Sequence, residues 1–255
     1  MSSLRSLMGR LVAREPVQRL RQGPLAGMRV AVPRSYLDAE AAYESGVTAA
    51  LTRLAKPGDV CADLGAHVGY FTLLMAKLSG PEGRVLSFEA SAENACTVRR
   101  NVRLNRLRDR VTVEHAAVMG RSSDEVPIFA GRSGGSMEWT TDAEFATREG
   151  PGHGDHSAAM RTRGVALDDY LPPGSPLDLV KMDIEGAEAQ AVPGMQRLLQ
   201  EARPSIVLEF HREVGWPAIP ALAEAGYSFT SLEGEPLGAL ERPGDVPYQL
   251  VAEPR

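Results

Sequence analysis

Short apolar runs recur along the chain from residue 59 onward, and most are followed by a stretch whose apolar positions repeat at helical spacing. The runs at 59–63, 84–88, 111–116, 178–183 and 205–210 read as strands, with two weaker ones at 226–231 and 247–252. Helical spacing covers 68–79, 91–105, 187–201 and 217–225. Strands that alternate with helices predict a mostly parallel sheet covered on both faces, because parallel neighbours need crossover connections. Ligands of such sheets bind beyond the carboxyl ends of the strands, where the strand order reverses.

Two regions depart from this rhythm. Between Gly120 and Arg163, a strand at Glu125–Phe129 is followed by glycine-rich chain over about 130–160. Long glycine-rich connections in compact domains are functional loops or linkers. Trp139 marks the first part as a substrate-facing loop, and 147–160 reads as a mobile connection. His153 and His156 have no third ligand nearby and read as part of a solvated loop. At the N-terminus Leu4, Leu7, Met8, Leu11 and Val12 share one helical face. We therefore expect a helical cap over 1–50, on the acceptor side, which also offers a surface for a homo-oligomer. The main domain is then 51–255.

Charge changes the picture little. The net charge is −5, although residues 1–36 carry seven arginines and one glutamate, so nucleic acid is not an expected partner. No apolar run approaches the roughly 18 residues of a membrane span, and a soluble, cytoplasmic protein is expected. Cys61 lies in an apparent buried strand and Cys96 on a helix, a usage that suits reduced thiols.

The chemistry is concentrated at strand ends. In Val60-Cys61-Ala62-Asp63-Leu64-Gly65-Ala66-His67-Val68-Gly69-Tyr70-Phe71, an apolar strand enters a glycine-punctuated turn and leaves as a helix. Such a corner binds nucleotides, but a dinucleotide loop would have glycine where His67 stands. With Asp63 just before the turn, the loop suits a ligand bearing an ammonium and a sulfonium better than a pyrophosphate, and S-adenosylmethionine (SAM) fits that description. Glu89 closes the second strand, about 20 residues past the loop, where a carboxylate accepts ribose hydroxyls. In the second half, the segment Leu177-Asp178-Leu179-Val180-Lys181-Met182-Asp183-Ile184-Glu185-Gly186-Ala187-Glu188 delivers Asp183 to the same edge. Glu185 and Glu188 fall in the first turn of the next helix, where the dipole favours negative charge. The following strand brings Glu209 and His211 to that rim.

Taken in order, DLGAHVGYFTLLMA, VLSFEASAENACTVRRNVRLN, VEHAAV, LDLVKMDIEGAEAQAVPGM and IVLEFH resemble the FkbM family of SAM-dependent methyltransferases over about residues 55–212. The resemblance implies an α/β Rossmann-like sheet of seven strands, mostly parallel with the last antiparallel, and methyl transfer to a hydroxyl of a small molecule such as a polyketide or a sugar. By position, Asp63, Gly65, His67 and Gly69 would follow the methionine part of SAM, with Ala66 and Tyr70 completing the loop. Glu89 would hold the ribose, Ala90, Ser91 and Asn94 would edge the nucleoside, and Ala116, Ala117 and Val118 would line the adenine. His67 departs from the asparagine frequent at its position.

For the chemical step, an aliphatic hydroxyl needs a base or a metal. His211 is the expected base, since an imidazole titrates near neutrality, with Asp183 orienting it or the acceptor. Asp183 and Glu209 could instead hold Mg²⁺, a reading not favoured because no third carboxylate is evident. Two rivals are a non-catalytic SAM-binding or scaffold protein and, against the glycine pattern, a nicotinamide-dependent dehydrogenase.

Overall fold

Successive residues of a strand point to opposite faces of its sheet, and in the central strands both sets are apolar. Cys61, Leu179, Val207 and Val251 pack to one side, while Ala62, Val180, Ile206 and Leu250 pack to the other. Strands of this composition are stable only when both faces are covered. The computed structural model describes residues 16–31, 44–133, 136–141 and 160–255. Among these, β3 (Val60–Leu64), β4 (Arg84–Glu89), β5 (Val111–Val118), β9 (Leu179–Met182) and β10 (Ser205–Glu209) run parallel in the order β10-β9-β3-β4-β5. Helices α1 (Ser45–Leu54), α2 (Tyr70–Leu78) and α3 (Ala92–Leu104) bury Leu51, Leu74 and Val98 on the first side. On the second side α6 (Gln196–Glu201) and α8 (Ala218–Glu224) bury Leu198, Leu199, Ile219 and Leu222.

The last strand, β12 (Gln249–Pro254), is antiparallel, as expected, and it lies between β10 and β11 (Tyr227–Thr230). The sheet has ten strands rather than seven. Three extra ones lie beyond β5, in the order β8 (Met160–Val165), β6 (Ser123–Ser133), β7 (Ser136–Thr140). The interval read as a loop therefore begins as a β6–β7 hairpin, with Trp139 in β7, and ends in a strand parallel to β5. That strand was hidden because Arg161 and Arg163 alternate with buried Thr162 on a sheet-edge pattern that carries few apolar residues. The helix expected over 187–201 is interrupted. Pro193 lacks the N–H that a helix interior needs, and α5 (Glu188–Ala191) passes through a 3₁₀ turn at Val192–Met195 before α6. Completing the sequence of helices, α4 spans Leu167–Tyr170 and α7 spans Arg212–Gly215. Cys61 is buried and Cys96 exposed, both as free thiols.

The amphipathic segment at 3–12, and with it the oligomer surface, lies outside the described residues, as do His153 and His156. Of the described residues of the expected helical cap, 45–50 open helix α1, and 16–31 hold a β hairpin, β1 (Val17–Arg19) and β2 (Arg29–Ala31), which buries Leu20, Leu25 and Val30 against α2 and α3. Its free edge is satisfied by side chains. Asn101 Oδ1 accepts from Ala31 N at 2.7 Å, and Asn105 Oδ1 from Arg29 N at 2.9 Å. Asn101 also donates through Nδ2 to the Val68 carbonyl at 2.9 Å, so one buried amide joins the hairpin to the loop after β3. Replacing it leaves a buried N–H and a buried C=O without partners, each worth about 1–3 kcal/mol. Asn101→Leu should lower unfolding free energy by roughly 2–4 kcal/mol in urea denaturation, whereas a loss below about 0.5 kcal/mol would show that the amide is not a structural joint.

Candidate active site

The loop after β3 is held in conformations that ordinary residues avoid. Gly65 has φ +80°, and a Cβ there would overlap the carbonyl oxygen of Asp183, so only glycine lets this turn cross the end of β9. His67 also takes the left-handed region, at φ +50°, the conformation that a dinucleotide loop gives to glycine. Its N–H donates to Glu89 Oε2 at 2.7 Å, and burial lowers its imidazole to a pKa of about 4, leaving it neutral. Gly69, at φ +87°, closes the turn with a bond to Ala66 O and starts α2.

Glu89 ends β4 next to this loop. Its Oε2 takes His67 N, and its Oε1 takes Ser91 N at 2.8 Å with Asn94 Nδ2 at 3.5 Å. A carboxylate has about four lone-pair sites, so Oε2 keeps capacity for a further donor, and Oε1 gains it if the long contact to Asn94 gives way. Burial raises the carboxyl to a pKa of about 7, against the pull of those backbone N–H groups. Ser91 itself caps α3 by accepting from Asn94 N.

These residues border a cavity of about 360 Å³ at the carboxyl ends of the strands, over the β3–β9 switch point. Gly65, Ala66, His67, Tyr70, Glu89, Ala90, Asn94, Ala116, Ala117, Val118, Asp183 and Glu209 line it. Asp63, Gly69, Ser91 and His211 do not. Asp63 lies behind the wall, fully buried, where its Oδ2 accepts from Thr72 Oγ1 at 2.5 Å and burial raises its pKa.

Lys181, a cation within the apolar run at 178–183, lines the cavity at 4% exposure. Its Nζ donates to Asp183 Oδ2 at 3.0 Å and to Gly65 O at 3.3 Å, and sits 5.2 Å from the centre of the Phe71 ring. Burial opposes its charge, but Asp183 and Asp63 outweigh that and hold the ammonium above its ordinary range. A signal was present: a lysine inside an apolar strand needs a partner, and Asp183, two residues on, shares its face.

One part of the cavity is acidic: Asp183, Glu185 and Glu209 line it, with Tyr248 and Gln249 beside Glu209, and Glu44 and Thr141 also line the cavity. Glu209 accepts from Tyr248 Oη at 2.5 Å and Gln249 Nε2 at 2.8 Å, and burial together with Asp183 raises its pKa. His211 differs from its expected role as base. Strand β10 ends at Glu209, and His211 precedes α7 with both ring nitrogens facing carboxylates: Nδ1 to Glu188 Oε1 at 2.9 Å and Nε2 to Glu185 Oε2 at 3.4 Å. Burial disfavours the imidazolium, but these partners dominate and raise its pKa to about 11. An imidazole that already carries its proton cannot take one from an acceptor. Glu188, expected to be a helix-dipole charge, is instead fully buried beneath His211. Asp183, Glu209 and His211 bring one donor atom each to within 4.8 Å of one another. The third donor missing from the sequence reading is thus an imidazole.

Residues 63–229 match the methyltransferase FkbM domain. The chain belongs to the FkbM methyltransferase family. It is a SAM-dependent methyltransferase, which sets aside the dehydrogenase reading. The methyltransferase sdnD of Sordaria araneosa is 30% identical over 196 residues, covering 66% of this chain and 73% of its own. Catechol O-methyltransferase of Sus scrofa is 40% identical over 68 residues, which cover 27% of this chain and 34% of that enzyme. The solved methyltransferase FkbM of Methylobacillus flagellatus shares the fold, with a TM-score of 0.50 at 15% identity, over 98% of this chain and 59% of that one. Among the described residues, no helix is long and apolar enough to cross a membrane.

The contact between Gly65 and β9 can be separated from simple backbone strain. Gly58, at φ +94°, has open space where its Cβ would stand. Gly58→Ala should cost only the left-handed strain of about 1–2 kcal/mol, while Gly65→Ala adds overpacking of about 1–3 kcal/mol. Equal losses in denaturant titrations of the two variants would refute the close approach of loop and strand.

Proposed function

We propose that this methyltransferase moves the methyl group of SAM to a hydroxyl oxygen of a small molecule, of the natural-product or sugar class. The carrying observation is the polarity of one cavity. At one end Glu89 Oε2 has a free acceptor site for one ribose hydroxyl, and a second hydroxyl would take the place of the long Asn94 contact on Oε1, beside the apolar Ala116–Val118 wall suited to adenine. At the other end Asp183, Glu185 and Glu209 suit a hydroxylated acceptor. In this reading Gly65, Ala66, His67 and Tyr70 follow the methionine part of SAM, and Ala90 and Asn94 edge the nucleoside. Asp63, Gly69 and Ser91 act from behind, by shaping the loop and holding Glu89. A partial relative that methylates catechol oxygen supports the choice of acceptor atom.

The reaction is an in-line displacement. The acceptor oxygen forms a bond to the methyl carbon as the carbon–sulfur bond breaks, its proton leaves through the acidic rim to water, and S-adenosylhomocysteine departs neutral at sulfur. Alignment supplies much of the acceleration. With no ion bound, His211 is a buried cation that holds Glu185 and Glu188 in place.

The segments we assign to the acceptor adjoin the cavity in sequence. Glu44 follows 32–43, and Thr141 precedes 142–159; both line the wall. Replacing 143–158 by a short Gly-Ser linker, which leaves the packed β1–β2 hairpin untouched, should raise the KM for acceptor at least about tenfold while the Kd for S-adenosylhomocysteine changes by less than about threefold. Equal losses would assign the segment to the fold.

Glu89 provides the direct test of the cofactor end. A ribose diol needs the ionised carboxylate as acceptor, and the free protein's Glu89 takes up a proton as the pH falls through about 7. Affinity for S-adenosylhomocysteine, measured by calorimetry, should therefore weaken roughly five- to tenfold between pH 7.5 and 6. Glu89→Gln should cost about 1.5–3 kcal/mol at pH 7.5 and flatten the profile. Unchanged affinity in the variant would remove Glu89 from the site, and binding without turnover of any hydroxyl acceptor would favour a non-catalytic role.

A further inference from the structure

We propose that Asp183, Glu209 and His211 form a site for a divalent transition-metal ion, of the Mn²⁺ type, at the acceptor end of the cavity. The proposal rests on the methyltransferase reading above and names what would receive the acceptor oxygen. The three donors come from the end of β9, the end of β10 and the start of α7, and their ligand atoms already lie within 4.8 Å of one another. Small side-chain rotations would bring atoms spaced this way onto a single ion.

Each donor is also oriented. Asp183 gives Oδ2 to Lys181, while its Oδ1 is shielded from solvent and has no hydrogen-bond partner. A buried carboxylate oxygen left unpaired is costly, and a cation would satisfy it. Tyr248 and Gln249 fix Glu209. His211 Nδ1 is tied at 2.9 Å to Glu188, a fully buried carboxylate, which turns Nε2 toward Glu185 at 3.4 Å and Glu209 at 3.9 Å. A carboxylate behind the other ring nitrogen is the usual support of a metal-bound histidine.

Charge points the same way. Asp183, Glu185, Glu188 and Glu209 surround one imidazole and one lysine, and Lys181 reaches only Asp183 among them. Two carboxylates with one imidazole suit Mn²⁺ or a similar ion better than Mg²⁺, which takes oxygen donors and keeps its waters. An ion here would displace the proton of Nε2, hold the acceptor oxygen and lower the pKa of its hydroxyl. It would thereby supply the activation that a protonated His211 does not.

The test uses the full chain, stripped with chelator and dialysed, with Mn²⁺ alone as probe. Electron paramagnetic resonance titration should show one bound ion per chain, and Glu209→Gln and His211→Gln should each weaken it at least about tenfold. Because His211→Gln also breaks the buried pair with Glu188, Glu209→Gln decides the matter, its fold checked by circular dichroism. No Mn²⁺ uptake by the wild type, or uptake that Glu209→Gln leaves unchanged, overturns the site. Calorimetry with S-adenosylhomocysteine on the stripped protein separates the two readings. Retained binding with no Mn²⁺ uptake overturns the metal alone, and absence of both overturns the methyltransferase site on which it rests.

Discussion

The ammonium of Lys181 is the interaction around which this site is arranged. It is a cation inside a central strand, at 4% exposure, and the only lysine or arginine among the described residues that line the cavity. Asp63 pairs with it in register across β3 and β9, and Asp183 binds it directly. Without that charge two carboxylates on adjacent strands would face each other at low dielectric, where like charges resist joint ionisation. Through Gly65 O the same group ties the loop to β9. A buried ion pair adds little net stability, because desolvation offsets the attraction. Its consequence is positional: the strand ends on both sides of the switch point are locked in one relation.

Around that anchor the backbone is strained where the ligand would sit. Gly65, His67, Gly69, Glu185 and Gly186 all have positive φ, in two turns that adjoin where Gly65 meets Asp183. Non-glycine residues in this region cost about 1–2 kcal/mol each, and they persist only when surroundings over-determine them. The surroundings are visible here. His67 N is bound by Glu89, the Val68 carbonyl by Asn101, and Gly186 N by Glu188. The hairpin β1–β2, distant in sequence, reaches the loop through Asn101 and so is part of the support of the site.

The two ends of the cavity differ in how they treat charge. At the Glu89 end backbone N–H groups and burial set a single carboxylate, poised between protonation states near neutrality. At the Asp183 end several carboxylates crowd one imidazole and keep it positive.

Much of this was legible in the sequence. Apolar strands alternating with amphipathic helices determined a doubly covered parallel sheet, since no other arrangement buries both faces of such strands. The glycine at 65, the histidine at 67 and the acids at 89 and 183 marked strand ends that border one cavity, because strand ends in that topology converge on one crevice, while Asp63 lies buried behind its wall. What only the tertiary structure decided were matters of contact between distant segments. Strand β8 forms because β5 offers it an edge, and its polar alternation carries no sign of that on its own. His211 looked like a base from its position one residue past Phe210. It is a held cation because Glu185 and Glu188, more than twenty residues away, fold against its two nitrogens, and a side chain's protonation is set by what surrounds it in space.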